Sequence, residues 1–269
     1  VIDALDECPE PLRKDVLVLL EHITSQKLSN LRLLATSRPE ADIEFYMDRI
    51  ATHRINLHSI DSQAQDLGAY VSNVLTHDQS FQDWSDELIS STADFLSENA
   101  NGMFRWVYCQ LETLRFCLPK NVSRTLETLP KTLDETYERI LRNIDNSVSD
   151  DARRIFHCIA FARIPLSVDE LAEIFAIDFT TIPIPTHTAS FRVRDPETRL
   201  RRMCSGLIDV VDVHRPFQPG PPRRVVQFAH FSVKEFLLSD RLAMGPIPLY
   251  HINTRLAHTT LAQMCITTL

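Results

Sequence analysis

Glycine is scarce in this sequence. Only five of its 269 residues are glycine, at positions 68, 102, 206, 220 and 245, against fifteen prolines. The five lie far apart, so the chain holds no Gly-rich phosphate loop. Both the P-loop and the dinucleotide fingerprint need closely spaced glycines to bring backbone amides against phosphate. Paired cysteines are missing too. The six cysteines, at 8, 109, 117, 158, 204 and 265, form no CxxC pair. That argues against a zinc site or redox motif and fits a reduced, cytoplasmic compartment. There is no long hydrophobic run: the longest aliphatic stretch is residues 16–20, far short of the roughly 20 residues of a membrane span. No basic segment followed by an apolar stretch opens the chain. Positive charge is in deficit, with 28 Lys and Arg against 36 Asp and Glu and a formal net charge of -8. A broad nucleic-acid surface needs the opposite balance. What is there is an ordinary globular composition, 44% hydrophobic and 24% charged. The length suffices for one large domain or two to three small ones.

The string VIDALDEC at residues 1–8 runs two β-branched residues straight into an acidic cluster. We read it as the end of a strand in a chain cut upstream. Apolar residues at Leu12, Val16, Leu19, Leu20 and Ile23 predict a helix over 11–23. Residues 31–36 predict a short strand, 39–47 a helix that starts at Pro39, and 54–57 another strand. Strands alternating with helices imply a parallel sheet with crossover connections. From 61 to about 129 the pattern is helical, with Leu67, Tyr70, Val71 and Val74 on one face and a break at Asn101-Gly102. Helices follow over 133–144 and 152–160. Ser167 with Glu170 forms a capping box that opens a helix to about Ile177. Residues 178–196 read as a loop, and 197–206 as a helix. Two β-rich runs, 207–213 and 223–228, flank a Pro-rich tip at 214–222. Ser232 with Glu235 reads as a second capping box, opening a helix to Leu238. A last helix starts near Asn253. Helices followed by a hairpin make a winged-helix plan.

Strand ends in α/β sheets present ligand-binding groups at their carboxyl ends. Asp3, with Asp6 and Glu7 just after it, fits that place. One carboxylate there can hold Mg²⁺ and another can orient an attacking water. The alternative is an acidic loop that caps the next helix. Arg38, at the end of the second predicted strand, can bind phosphate oxygens bidentately, or can be a surface arginine in a turn. His230 follows the apolar run 225–229 and, on its own residues, reads as a buried, hydrogen-bonded imidazole.

VIDALDEC followed by LLATSRPE at 33–40 resembles the Walker B and sensor-1 segments of NACHT-type signal-transduction NTPases. The likeness is to the fungal proteins with a nephrocystin-like core of the STAND P-loop class. NGMFRWVYCQL at 101–111 is similar to a helix of that family. LPKTLDETYERIL at 129–141 resembles the opening of its winged helix, of the type described in a GPI inositol-deacylase. HFSVKEFL at 230–237 resembles its terminal strand-to-helix motif. Together the four motifs cover roughly residues 1 to 240.

The resemblance implies a mixed, mainly α fold in four parts. Residues 1–60 would be the C-terminal part of a parallel α/β P-loop NTPase domain, and 61–130 a helical domain. Residues 131–245 would be a winged-helix domain and 246–269 the start of a further helical segment. It implies that Asp3 binds Mg²⁺, that Asp6 or Glu7 positions the hydrolytic water, and that Arg38 reaches the γ-phosphate. His230 would contact the β-phosphate of ADP. Gly102 falls where relatives carry a Gly-x-Pro turn against adenine, although here Phe104 stands in place of the proline. Arg105 replaces a usually aliphatic residue. The implied cofactor is ATP or GTP with Mg²⁺, bound and hydrolysed only in a full-length parent that supplies the P-loop, often one that ends in repeats. The implied partners are the nucleotide and other proteins, including further copies through the NACHT core, with no membrane.

The rival reading is a non-enzymatic protein-interaction module. DNA binding ranks below it: the candidate helix near 168–177 carries Asp169, Glu170 and Glu173 and no base. The arginines at 192, 194, 199, 201, 202, 215, 223 and 224 are the feature in its favour.

Overall fold

The computed structural model describes residues 1–56, 61–181, 185–204, 206–213 and 222–268. The chain divides into two compact units, residues 1–60 and 61–269.

In the first unit, α1 (Glu10–Ser25) and α2 (Ala41–Ile50) pack on each other. Proline at the start of α1 needs no amide donor there. The buried apolar residues are Leu5, Leu17, Leu20 and Ile43. The face of α1 differs from the predicted one: Arg13, Leu17 and Leu20 are buried, while Leu12 and Leu19 are exposed. Apolar residues run round much of this helix, so periodicity alone does not select a side. The predicted strand at 31–36 is reduced to one parallel bridge, Ile2 with Ala35. The Ile2 amide donates to the Leu34 carbonyl (2.8 Å), and the Thr36 amide donates back to Ile2 (3.0 Å). Residues 54–56 of the other predicted strand are not extended into a sheet. Arg54 pairs instead with Glu44 and Asp48 of α2.

The second unit opens with four helices: α3 (Asp61–His77), α4 (Asp86–Asn99), α5 (Phe104–Leu114) and α6 (Val122–Glu127). Ser85 caps α4 by accepting the Leu88 amide. Leu67, Val71 and Leu75 of α3 face Leu96, Trp106, Val107 and Leu111 in one core. The Trp106 indole N–H donates to the Pro130 carbonyl (2.8 Å), so burying the ring strands no polar atom.

A second core collects α7 (Leu133–Arg142), α8 (Ser149–Phe161), α9 (Val168–Ala172), α10 (Pro196–Met203) and a hairpin of β3 (Ile208–Val213) and β4 (Arg223–Phe228). The Ser167 capping box is present as expected. α9 is shorter than expected and passes into a 3-10 turn at Glu173–Ala176. The expected loop after it contains a two-residue antiparallel pair, β1 (Ile177–Asp178) with β2 (Thr186–His187). β3 and β4 pair antiparallel, with Ile208 opposite Phe228 and Val213 opposite Arg223. Residue 167 adds a bridge to Val225. The Pro-rich tip at 214–221 lies outside the described residues. α11 (Phe231–Leu238), α12 (Asp240–Ala243) and α13 (Thr254–Thr268) complete the unit, and α13 packs along α8. The fold is mainly α, as expected. No helix among the described residues is long and apolar enough to cross a membrane.

Candidate functional site

Four of the six predicted site residues lie in the first unit, around the single parallel bridge. Asp3 is exposed and accepts a hydrogen bond from the Thr36 hydroxyl. That hydroxyl also accepts the Ala4 amide (2.9 Å). Ala4 is in the left-handed region, with φ 50°, which turns the chain sharply from the bridge into the 3-10 turn Leu5–Glu7. The turn swings Asp6 back toward the second segment. Its carboxylate accepts from both the Arg38 backbone amide (3.1 Å) and Arg38 Nε (2.7 Å). The Asp6 side chain is only 6% exposed, while that of Arg38 is half exposed. Burial opposes ionisation of Asp6. The Arg38 hydrogen bonds and charge outweigh it and hold the carboxyl below the usual carboxylate range. Glu7 is exposed.

Sequence reasoning missed Arg13, the buried brace beneath this turn. Its guanidinium donates to the carbonyls of Cys8 (3.1 Å) and Asp6 (2.7 Å). It also donates to the carboxylates of Glu40 and Asp42. Arg13 thus ties the acidic turn to the segment that carries Arg38. The available signal was an arginine one turn before Leu17 on the buried side of α1, hidden by the wrong choice of face.

The other two predicted residues lie in the second unit. Gly102 has φ 75° and follows Asn101 at φ 47°. The pair forms a left-handed turn that only glycine enters without strain at its second position. Gln63 Nε2 donates to the Gly102 carbonyl (3.2 Å), and a Cβ at 102 would meet Gln63 Oε1 at 3.2 Å. His230 is exposed, which corrects the expected buried imidazole: β4 ends at Phe228, so residue 230 lies beyond the strand. It is the N-cap of α11, and its ring Nδ1 accepts the Ser232 backbone amide (3.2 Å). The expected capping box at Ser232 is therefore absent, because Ser232 already sits in the first turn.

Four of the eight arginines that favoured DNA binding pair with acids within their own unit. Arg192 pairs with Glu173, Arg201 and Arg224 with Glu197, and Arg223 with Glu170. Guanidinium groups committed to carboxylates present less charge to a phosphate backbone. Among the described residues no three His, Cys, Asp or Glu side chains gather as a metal site.

Two family models match this chain. One describes the winged-helix domain of GPI inositol-deacylase and matches residues 137–245. The other describes the N-terminal region of nephrocystin 3 and matches residues 1–38. The azaphilone pigments biosynthesis cluster protein L of Monascus ruber is 34% identical over 158 residues, 58% of this chain and 30% of that protein. The vegetative incompatibility protein HET-E-1 of Podospora anserina is 28% identical over 249 residues, 88% of this chain and 16% of that protein. The chain thus spans less than a third of the length of either curated relative. No solved structure matches it.

Proposed function

We propose that this chain is part of a NACHT-type NTPase that works as a nucleotide-dependent switch. The observation that carries this reading is the Arg38–Asp6 pair across the single parallel bridge. It supports a site where an acidic strand end and an arginine from the neighbouring segment face the same ligand. The matches to the nephrocystin 3 N-terminal model at 1–38 and to the GPI inositol-deacylase winged-helix model at 137–245 support this reading, which expects a nucleotide-binding segment before a winged helix.

In this reading each residue has one task. Asp3 would hold Mg²⁺: a hard carboxylate oxygen suits the ion, and Mg²⁺ is commonly bound by one or two carboxylates, waters and the phosphates themselves. A lone exposed carboxylate fits that manner of binding, whereas a cage built only of protein groups would need more acids. The ion supplies neutralisation of phosphate charge. Asp6 is committed to Arg38, so the exposed Glu7 is the better placed of the two to orient water. Arg38, oriented by Asp6, would meet the γ-phosphate. Gly102 would supply a tight backbone turn for a base, and His230 would contact the β-phosphate of ADP. Two states then differ in their contacts to the nucleotide, and exchange shifts the population between them.

The test uses the full-length protein that carries this sequence. Its upstream coding sequence should contain GxxxxGK[ST]. The purified protein should retain a nucleotide, and His230→Ala should speed ADP release. A full-length protein with no such motif and no Mg²⁺-dependent nucleotide binding would overturn the reading.

One observation favours the second reading, a protein-interaction surface. α1 exposes Leu12, Val18 and Leu19, and the segment after it exposes Leu31, Leu33 and Leu34. Apolar exposure marks contact surfaces where it is contiguous.

A further inference from the structure

His230 stands at the end of a line of hydrogen bonds that runs from α11 through α7 to the start of α5. Ser232 Oγ lies 2.6 Å from His230 Nδ1. Tyr137 Oη lies 2.8 Å from Ser232 Oγ. Arg105 Nε points at Tyr137 Oη over 3.5 Å, the longest link. Arg105 is itself anchored, donating to the Gly206 carbonyl (2.5 Å) and lying over the Tyr108 ring (5.0 Å to its centre).

The direction of every bond in this line follows from proton counting. His230 Nδ1 accepts the Ser232 backbone amide, so it carries no proton in the neutral ring. A short contact to a bare nitrogen requires Ser232 Oγ to donate its single proton. Ser232 Oγ then has only lone pairs left for Tyr137, so Tyr137 must donate. Tyr137 in turn has only lone pairs left for Arg105, which is always a donor. Tyr137 is fully buried, and burial pushes its phenol up, so the proton it gives is retained.

We propose that Ser232 and Tyr137, headed by Arg105, are positioning residues that lock His230 in the Nε2–H tautomer. In that tautomer Nε2 carries the proton, so toward an anionic oxygen, a phosphate of a nucleoside diphosphate, the ring would act as a donor and not as a metal ligand. This rests on the switch reading for the identity of the anion, but the tautomer itself does not. The line also links the start of α5, three residues after Gly102, to the ring that would touch phosphate. A shift of Arg105 would therefore reach His230 through two hydroxyls.

The test is nitrogen NMR of the 269-residue chain with ¹⁵N-labelled histidine rings, His230 assigned by its loss in His230→Asn. The wild-type ring should show Nε2 protonated and Nδ1 as an unprotonated, hydrogen-bonded acceptor. Ser232→Ala should move the Nδ1 resonance away from its hydrogen-bonded position and let the second tautomer appear. Tyr137→Phe removes one hydroxyl from a buried ring and should move it the same way by less. Ser232→Thr should restore the wild-type pattern, which a loss of folding would not allow. A protonated Nδ1 in the wild type, or resonances unmoved by both Ser232→Ala and Tyr137→Phe, would overturn the proposal.

In the full-length protein, Ser232→Ala should speed ADP release roughly fivefold, the loss expected for one neutral hydrogen bond. It should add nothing on top of His230→Ala. Release unchanged by Ser232→Ala but accelerated by His230→Ala would count against the positioning role. A full-length protein that holds no nucleotide would sink the switch reading instead, and the ring resonances alone would then decide the donor line.

Discussion

Asp6 shows how a single side chain can be tied to a site and to stability at once. Its carboxyl is held below the usual range because, once folded, it accepts two hydrogen bonds from Arg38. In the unfolded chain those partners are gone and Asp6 titrates near the ordinary value of about 4. The stabilisation is therefore complete above that value and is lost as pH falls through the lower folded value. Asp6→Asn should lower the stability of the first unit at neutral pH and reduce the part of its acid sensitivity that lies below about pH 4. Urea titrations across that range check this, and an unchanged pH profile would show that Arg38 contributes nothing through Asp6. Residue by residue, the placement of Asp3, Asp6 and Arg38 near one another was legible from two strand-like segments that each end in polar groups. The burial of Arg13 was not, because a charged residue on a helix is assigned to water unless its partners, here the distant Glu40 and Asp42, are known.

The elements of the second unit were the most legible part, because their apolar residues recur at helical spacing and are bounded by caps. Trp106, Val107, Leu111 and Leu114 of α5, and Ile155 and Phe156 of α8, are buried as that spacing requires. Pattern failed where a motif is local and its register ambiguous. Ser-x-x-Glu at 232–235 has the letters of a capping box, yet the helix starts two residues earlier because His230 takes the cap. The pairing of α8 with α13 was likewise invisible, since their contact joins residues about a hundred apart. At that joint the hydroxyl of Thr260 donates to the Leu256 carbonyl (3.0 Å) and so must accept from His157 Nδ1 (3.2 Å). His157 Nε2 is buried without a partner. Burial, with the charges of Arg153 and Arg154, lowers the His157 pKa to about 4. The unfolded chain, in which histidine titrates near 6.5, binds the extra proton between those two values. Stability of the α8–α13 joint should fall as pH drops through that window, by up to about 3 kcal/mol at its lower end. His157→Gln should flatten this dependence. A variant whose stability declines as steeply as the wild type over the window would show that His157 is not its source.

At the scale of the whole molecule, the two units differ greatly in how much they bury. Among the described residues the first has four buried apolar residues in its core, and the second has two extended cores. Stability rises with buried apolar area, so the units should not open together. Hydrogen exchange followed by mass spectrometry should show the amides of α1 and α2 exchanging well before those of α5 and α8. A single shared opening, with equal protection in both units, would contradict this. The parallel bridge at Ile2 and Ala35 is the one trace of the expected sheet among the described residues of the first unit. Single bridges carry little protection.

The ring that caps α11 also shapes what a genetic screen at position 230 would return. Asparagine is among the best N-cap residues, so an Asn allele should keep the start of the helix while removing the imidazole. An alanine allele removes both, and loses roughly 1 kcal/mol of cap stability besides. Alleles that fail with alanine but pass with asparagine would mean that the organism selects the fold at this residue. Alleles that fail with both would mean that it selects the imidazole.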